Sequence, residues 1–187
     1  MDELVPFASR SYWIFSGLMV LGRGMDLLST WVASPRLLLE ANPIARALGW
    51  RWGLLVNLAV SLLMGMWPMP AIGITTTSLL VAARNFQSAW VMRSMGETGY
   101  RCWISHRFSE TNRWLFVGCV LAQGLLFGLV GSTLLYFGQF GPAWRVITGV
   151  GCGIVVYALA VVVFSLLPVW RLWREGRAES KLDCGAG

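Results

Sequence analysis

The chain has 187 residues, of which 56% are hydrophobic and 13% charged, with a formal net charge of +6. A soluble domain carries about 25% charged residues, so the composition excludes an ordinary soluble domain. The positive balance does not indicate nucleic acid either, because the arginines form no basic domain and sit between apolar runs. No charged side chain occurs over 52–83, 114–144 or 146–170. About 18 uncharged apolar residues are enough for a helix to cross the hydrocarbon core, so three such stretches define an integral membrane protein.

The amino terminus, Met1-Asp2-Glu3-Leu4, is acidic and lacks the basic stretch of a cleaved leader, so the first apolar segment is expected to stay in the protein. That segment predicts a helix over 12–33, stopped by Ser34-Pro35 and carrying Arg23 and Asp26 within its apolar length. A short connector follows, in which Asn42-Pro43 reads as a helix start: Asn caps free amides and Pro tolerates the first helical position. Trp50 and Trp52 mark a headgroup-level belt ahead of a second helix over 50–67. Pro68-Met69-Pro70 separates it from a third over 71–92, because one helix over 52–83 would be about 48 Å long. A polar connector over 93–113 leads to a fourth helix over 114–138, and Gly141-Pro142 turns into a fifth over 146–167. The expected fold is thus an all-α, polytopic bundle of five transmembrane helices in a single domain over 1–170, with a charged tail over 171–187.

With five spans, eleven Lys and Arg residues fall on one side, from Arg36 to Lys181, against Arg10 and Arg145 on the other. Positive residues mark the cytoplasmic side, which predicts an external amino terminus and a cytoplasmic carboxyl terminus.

Charged side chains inside a membrane are costly and normally face protein or water, so Arg23, Asp26 and Arg84 are the most informative residues. Arg23, Asp26 and Thr30 share one face of the first helix, and Gly53, Asn57 and Ser61 repeat at intervals of four on the second. Thr77, Arg84 and Ser88 share a face of the third, with Gln87 beside it. Asp26, Thr30, Asn57 and the stretch from Arg84 to Ser88 lie in the cytoplasmic halves of their helices, with Glu40 and Asn42 in the connector on the same side, which predicts a single polar cluster. Three readings are open: a structural network pairing Asp26 with Arg84 or Arg23, a ligand or ion site, and a catalytic centre. Helices four and five differ, carrying Gly124/Gly128 and Gly149/Gly153, spacings that allow close approach to each other or homo-oligomerisation.

Several chemistries are excluded. His106 is the only histidine and Lys181 the only lysine, which removes a bis-histidine haem, a histidine-rich zinc site and a retinal Schiff base. Cys102 and His106 are four residues apart, but two ligands make a poor metal site. The four cysteines show no paired spacing, and Cys184 lacks a prenylation pattern. No nucleophile elbow, zinc helix motif or phosphate loop is present.

Asp26-x3-Thr30 followed by Glu40-x-Asn42-Pro43 resembles the signature of a prokaryotic family of small polytopic membrane proteins, defined only as a domain of unknown function. The likeness covers about residues 22–93, and Asn57 stands where that family often has a Lys. The resemblance implies that Asp26, Thr30, Glu40 and Asn42 act as a unit. Their oxygens suit a hard cation such as Mg²⁺, Ca²⁺ or Na⁺, with Asp26 and Glu40 as metal ligands. No other cofactor is expected. The leading expectation is a non-enzymatic subunit or accessory partner in a prokaryotic cytoplasmic membrane. The alternatives are an intramembrane enzyme acting on a lipid or peptide, and a transporter or channel subunit.

Overall fold

A computed structural model describes residues 4–40, 42–140 and 143–175. Ala41 of the signature, the Gly141-Pro142 turn and the tail from residue 176 lie outside the described residues. Five helices account for most of the chain, and no strand occurs among the described residues. They are α1 (Arg10–Ala33), α2 (Pro43–Met64), α3 (Pro68–Glu110), α4 (Arg113–Gly138) and α5 (Trp144–Glu175).

The helix ends follow local chemistry. Ser9 caps α1 by accepting from the Tyr12 amide at 3.2 Å. Asn42 caps α2 with Pro43 at its first position, and Asn112 caps α4 by accepting from the Trp114 amide at 3.0 Å. Two helices change direction at glycine. Gly49 (φ 64, ψ −174) interrupts α2 and Gly96 (φ 72, ψ 161) interrupts α3, backbone states almost reserved for glycine. Beyond Gly96 the segment expected as a polar connector is helical to Glu110, and α5 runs to Glu175, into the expected tail.

Helix α3 is the centre of the bundle. Both α1 and α5 pack along it, α4 packs on α5, and α2 leans on α1 with little contact to α3. Three helical segments are long and apolar enough to cross a membrane: Pro43–Met64, Arg113–Gly138 and Trp144–Leu167. The more polar pair, α1 and α3, lies face to face, with Ser16, Ser29, Thr75 and Ser78 buried. Large apolar side chains such as Leu55, Trp114, Leu125 and Phe137 point outward. Apolar side chains outward and polar ones inward are the arrangement expected when the solvent is lipid.

Candidate functional site

Arg23 is the hub. Its Nη1 donates to Asp26 Oδ2 at 3.0 Å, one turn along α1, and to Ser78 Oγ on α3 at 3.2 Å. Its Nε donates to Asn57 Oδ1 on α2 at 2.5 Å. One guanidinium thereby ties three helices, a task that suits its planar fork of five donors. Asn57 is oriented in turn, since its Nδ2 donates to the Gly53 carbonyl at 2.7 Å and leaves the amide oxygen for Arg23. Ser61 Oγ donates to the Asn57 carbonyl at 2.7 Å, returning its hydroxyl to its own helix.

Further along the same interface, Asn85 Nδ2 donates to Ser29 Oγ at 3.2 Å and to Thr30 Oγ1 at 3.4 Å. Ser29 Oγ donates to the Asp26 carbonyl at 2.8 Å, so the two layers are linked through α1. Arg84 takes no part in this layer. Its Nη2 donates to Ser165 Oγ on α5 at 3.0 Å, and the pairing of Asp26 is with Arg23. Successive helical residues are about 100° apart, so Arg84 and Asn85 serve different neighbours. Thr77, seven residues before Arg84, likewise faces α5 and donates to the Gly153 carbonyl at 2.8 Å. Ser78, seven before Asn85, faces α1. Ser88 turns back to the carbonyls of Arg84 and Asn85, and Gln87 is exposed.

The connector between α1 and α2 forms a second knot. Glu40 Oε1 accepts from the Asn42 amide at 2.8 Å, and Asn42 Oδ1 accepts from the Ile44 amide at 3.0 Å. Arg46 donates to the carbonyls of Leu37 and Leu38, at 3.3 and 2.6 Å, while Trp50 Nε1 donates to the Pro35 carbonyl at 2.8 Å. Glu97, the first residue after the Gly96 break, accepts from the Arg36 amide at 2.8 Å. These bonds hold Leu37 at φ 57, a conformation unfavourable for a branched side chain. Glu40 and Asn42 therefore serve the start of α2.

Sequence reasoning found Arg23, Asp26, Thr30 and Asn57 in this network and missed Ser78, Asn85, Ser165 and Glu97. The available signal was a stripe on α3 in which Ala71, Thr75, Ser78, Ala82 and Ala89 recur at helical spacing, all of them buried. The glycine pairs divide their work between neighbours. A Cβ on Gly149 or Gly153 would meet α3, at 3.0 Å from Ile72 and 2.5 Å from the Gly73 carbonyl. A Cβ on Gly124 would meet Val162 of α5 at 2.5 Å, and one on Gly128 would meet nothing within 4 Å.

The chemistry open to this arrangement is limited. No group of three or more His, Cys, Asp or Glu side chains suited to a metal ion occurs among the described residues. His106 lies 3.6 Å from Glu110. What the cluster does offer is an arginine with a carboxylate partner, amide and hydroxyl groups bonded to one another, and one neighbouring cavity. That cavity, of about 420 Å³, lies between α1, α3 and α5 and has Arg23 in its wall. Searches among protein-family models, curated proteins and solved structures find no match to this chain.

Proposed function

We propose that the chain is a non-enzymatic subunit or accessory protein of a prokaryotic cytoplasmic membrane, and that its polar cluster is an internal brace. All five helices cross the membrane, with the amino terminus outside and the carboxyl terminus in the cytoplasm. The observation that carries this reading is the reach of the network: Arg23, Asp26, Asn57, Ser78, Ser29, Thr30 and Asn85 bond to one another across three helices. A catalytic carboxylate needs a path to substrate, whereas Asp26 is held by Arg23 and Glu40 by the Asn42 amide. Helix α2 supplies the face for a partner, since it packs on α1 alone to any extent and buries only Ser61.

The test is purification at native expression in mild detergent, with quantitative mass spectrometry. A stoichiometric membrane-protein partner is expected, and a chain that is monodisperse and alone would overturn the accessory reading. Reporters fused at Met1 and Gly187 should read external and cytoplasmic. Both on one side would overturn the five-span arrangement.

A second reading rests on the oxygen-bearing side chains of Asp26, Thr30, Glu40 and Asn42. Two carboxylates that repel each other are drawn together by a hard cation, and Thr30 and Asn42 add neutral oxygens. A ligand that binds only the folded state stabilises it by about 2.7 kcal/mol at a hundredfold excess over Kd. Mg²⁺, Ca²⁺ or Na⁺ added to metal-stripped protein would then raise Tm, and Asp26→Asn would abolish the rise. The brace predicts no shift with any of them.

A further inference from the structure

Helices α1 and α5 both lean on α3 but make no comparable contact with each other, which leaves a cleft floored by α3. Met69, Pro70, Ile74 and Val156 give it apolar walls, and the cavity measures about 420 Å³, within the range of about 300–1,000 Å³ usual for small-molecule sites. From Met69 to Ser78 the cleft follows ten residues of α3, nine steps that cover about 14 Å at 1.5 Å each. That shape suits an extended chain.

At one end stands Arg23. Its Nε and Nη1 are taken by Asn57, Asp26 and Ser78, while Nη2 keeps two N–H donors that bond to none of the described residues. A donor in apolar surroundings is costly unless an acceptor meets it. Asp26 already offsets the charge of Arg23, so the acceptor that suits Nη2 brings lone pairs and no charge. A carboxylate would leave a net negative charge in the hydrocarbon region.

We propose that this cleft binds a single acyl chain with an uncharged carbonyl head, an acyl ester or amide, whose oxygen accepts from Arg23. The hydrocarbon lies along Ile74 and Val156 toward Met69. The site shares Arg23 and Ser78 with the brace and does not depend on the accessory role.

The experiment uses the full chain in phosphatidylcholine nanodiscs and a photoactivatable acyl methyl ester, with adducts mapped by mass spectrometry. Saturable labelling is expected within 69–78 and 149–156. Methyl palmitate should compete for it. Hexadecane should compete at least about tenfold less well, because a hydrogen bond to a charged donor is worth a decade or more in affinity. Ionised palmitate should also be the weaker competitor. Arg23 is needed by the brace, so the informative variant is Val156→Trp, which fills the cleft from a position 52% exposed and outside the network. It should abolish the saturable labelling while leaving thermal stability intact. The proposal is overturned if hexadecane competes as well as the ester, if palmitate competes better, if labelling spreads without saturation over α2 and α4, or if Val156→Trp keeps it.

Discussion

The two halves of the bundle are fastened by different means. Where α1 meets α2 and α3, the joints are polar: Arg23 to Asn57 and Ser78, Asn85 to Ser29, and Tyr12 Oη donating to the Leu62 carbonyl at 3.1 Å. Where α4 meets α5, the joint is a seam of small residues. A Cβ on Gly131 would lie 2.9 Å from the Gly151 carbonyl, and one on Gly138 would lie 2.7 Å from Ile147. Gly124, Gly131 and Gly138 repeat every seven residues and so stay on one face. Phe127 and Tyr157 add an edge-on ring pair at 5.0 Å across the same seam. In lipid there is no hydrophobic force to press helices together, so association comes from close packing or from polar bonds. Each half relies mainly on one of these, and α3 sits where they meet, bonding to α1 on one face and approaching Gly149 and Gly153 on the other.

The comparison breaks most visibly at Arg23. Arg23→Gln removes the link among three helices and leaves Asp26 without its cation. Breaking a buried ion pair costs about 3–5 kcal/mol. The Arg23 and Asp26 side chains keep 30% and 19% of their exposure, which places the expected loss at the low end, about 3 kcal/mol. A double-mutant cycle with Asp26→Asn, read by thermal unfolding in detergent, should show coupling of about 1–3 kcal/mol. The cycle of Asp26→Asn with Arg84→Gln should be additive, because Arg84 is bonded to Ser165 on the far face of α3. Coupling in the second cycle and none in the first would overturn the assignment of the hub.

The glycine side should break by shape alone. Gly153→Ala puts a methyl 2.5 Å from the Gly73 carbonyl and 2.7 Å from Thr76 Cβ, backbone and branched neighbours that cannot swing away. Overpacking of this kind costs about 1–3 kcal/mol, and about 2 kcal/mol is expected here. If Gly153→Ala unfolds no earlier than wild type, α3 and α5 are not as close as described.

How much of this was legible in the sequence follows the same division. Charges in apolar runs are rare enough to stand out, so Arg23, Asp26 and Arg84 were found, and Asn42-Pro43 announced a helix start. The partners were harder. Ser78 and Asn85 are ordinary residues in a membrane helix, and whether 77 and 84 or 78 and 85 meet α1 is a rotation of about 100° that only packing decides. On α4 the close spacing of Gly124 and Gly128 drew attention, while α5 sits on Gly124, Gly131 and Gly138. The turn at Gly96 was missed because glycine within a helical pattern is often tolerated, and nothing local distinguishes that case from a φ of 72.

A smaller effect sharpens the account of the connector. Asn42→Ala removes the cap of α2 and should cost about 1 kcal/mol. Asn42→Ser or Asn42→Asp should restore most of it, since either side chain can accept from the Ile44 amide. If neither restores it, Asn42 has a duty beyond capping and the cation reading gains.

The smallest expected effect is at Gly128, and it tests whether the glycine pattern serves this chain or a second copy. A Cβ there meets nothing within 4 Å, although Gly128 is half-buried at the edge of the face that Gly124 and Gly131 turn to α5. Gly128→Ala should shift stability by no more than about 0.5 kcal/mol, as for other substitutions away from packed features. Gly124→Ala, one turn earlier, meets Val162 Cγ2 at 2.5 Å, the end of a side chain fixed on α5, and should be measurably worse. The pair separates intrachain packing from self-association when each is also weighed by light scattering in detergent. Packing within the chain predicts that Gly128→Leu leaves the molar mass unchanged. Loss of a dimer in Gly128→Leu, with stability of the monomer preserved, would show that this edge of α4 carries an interface of its own.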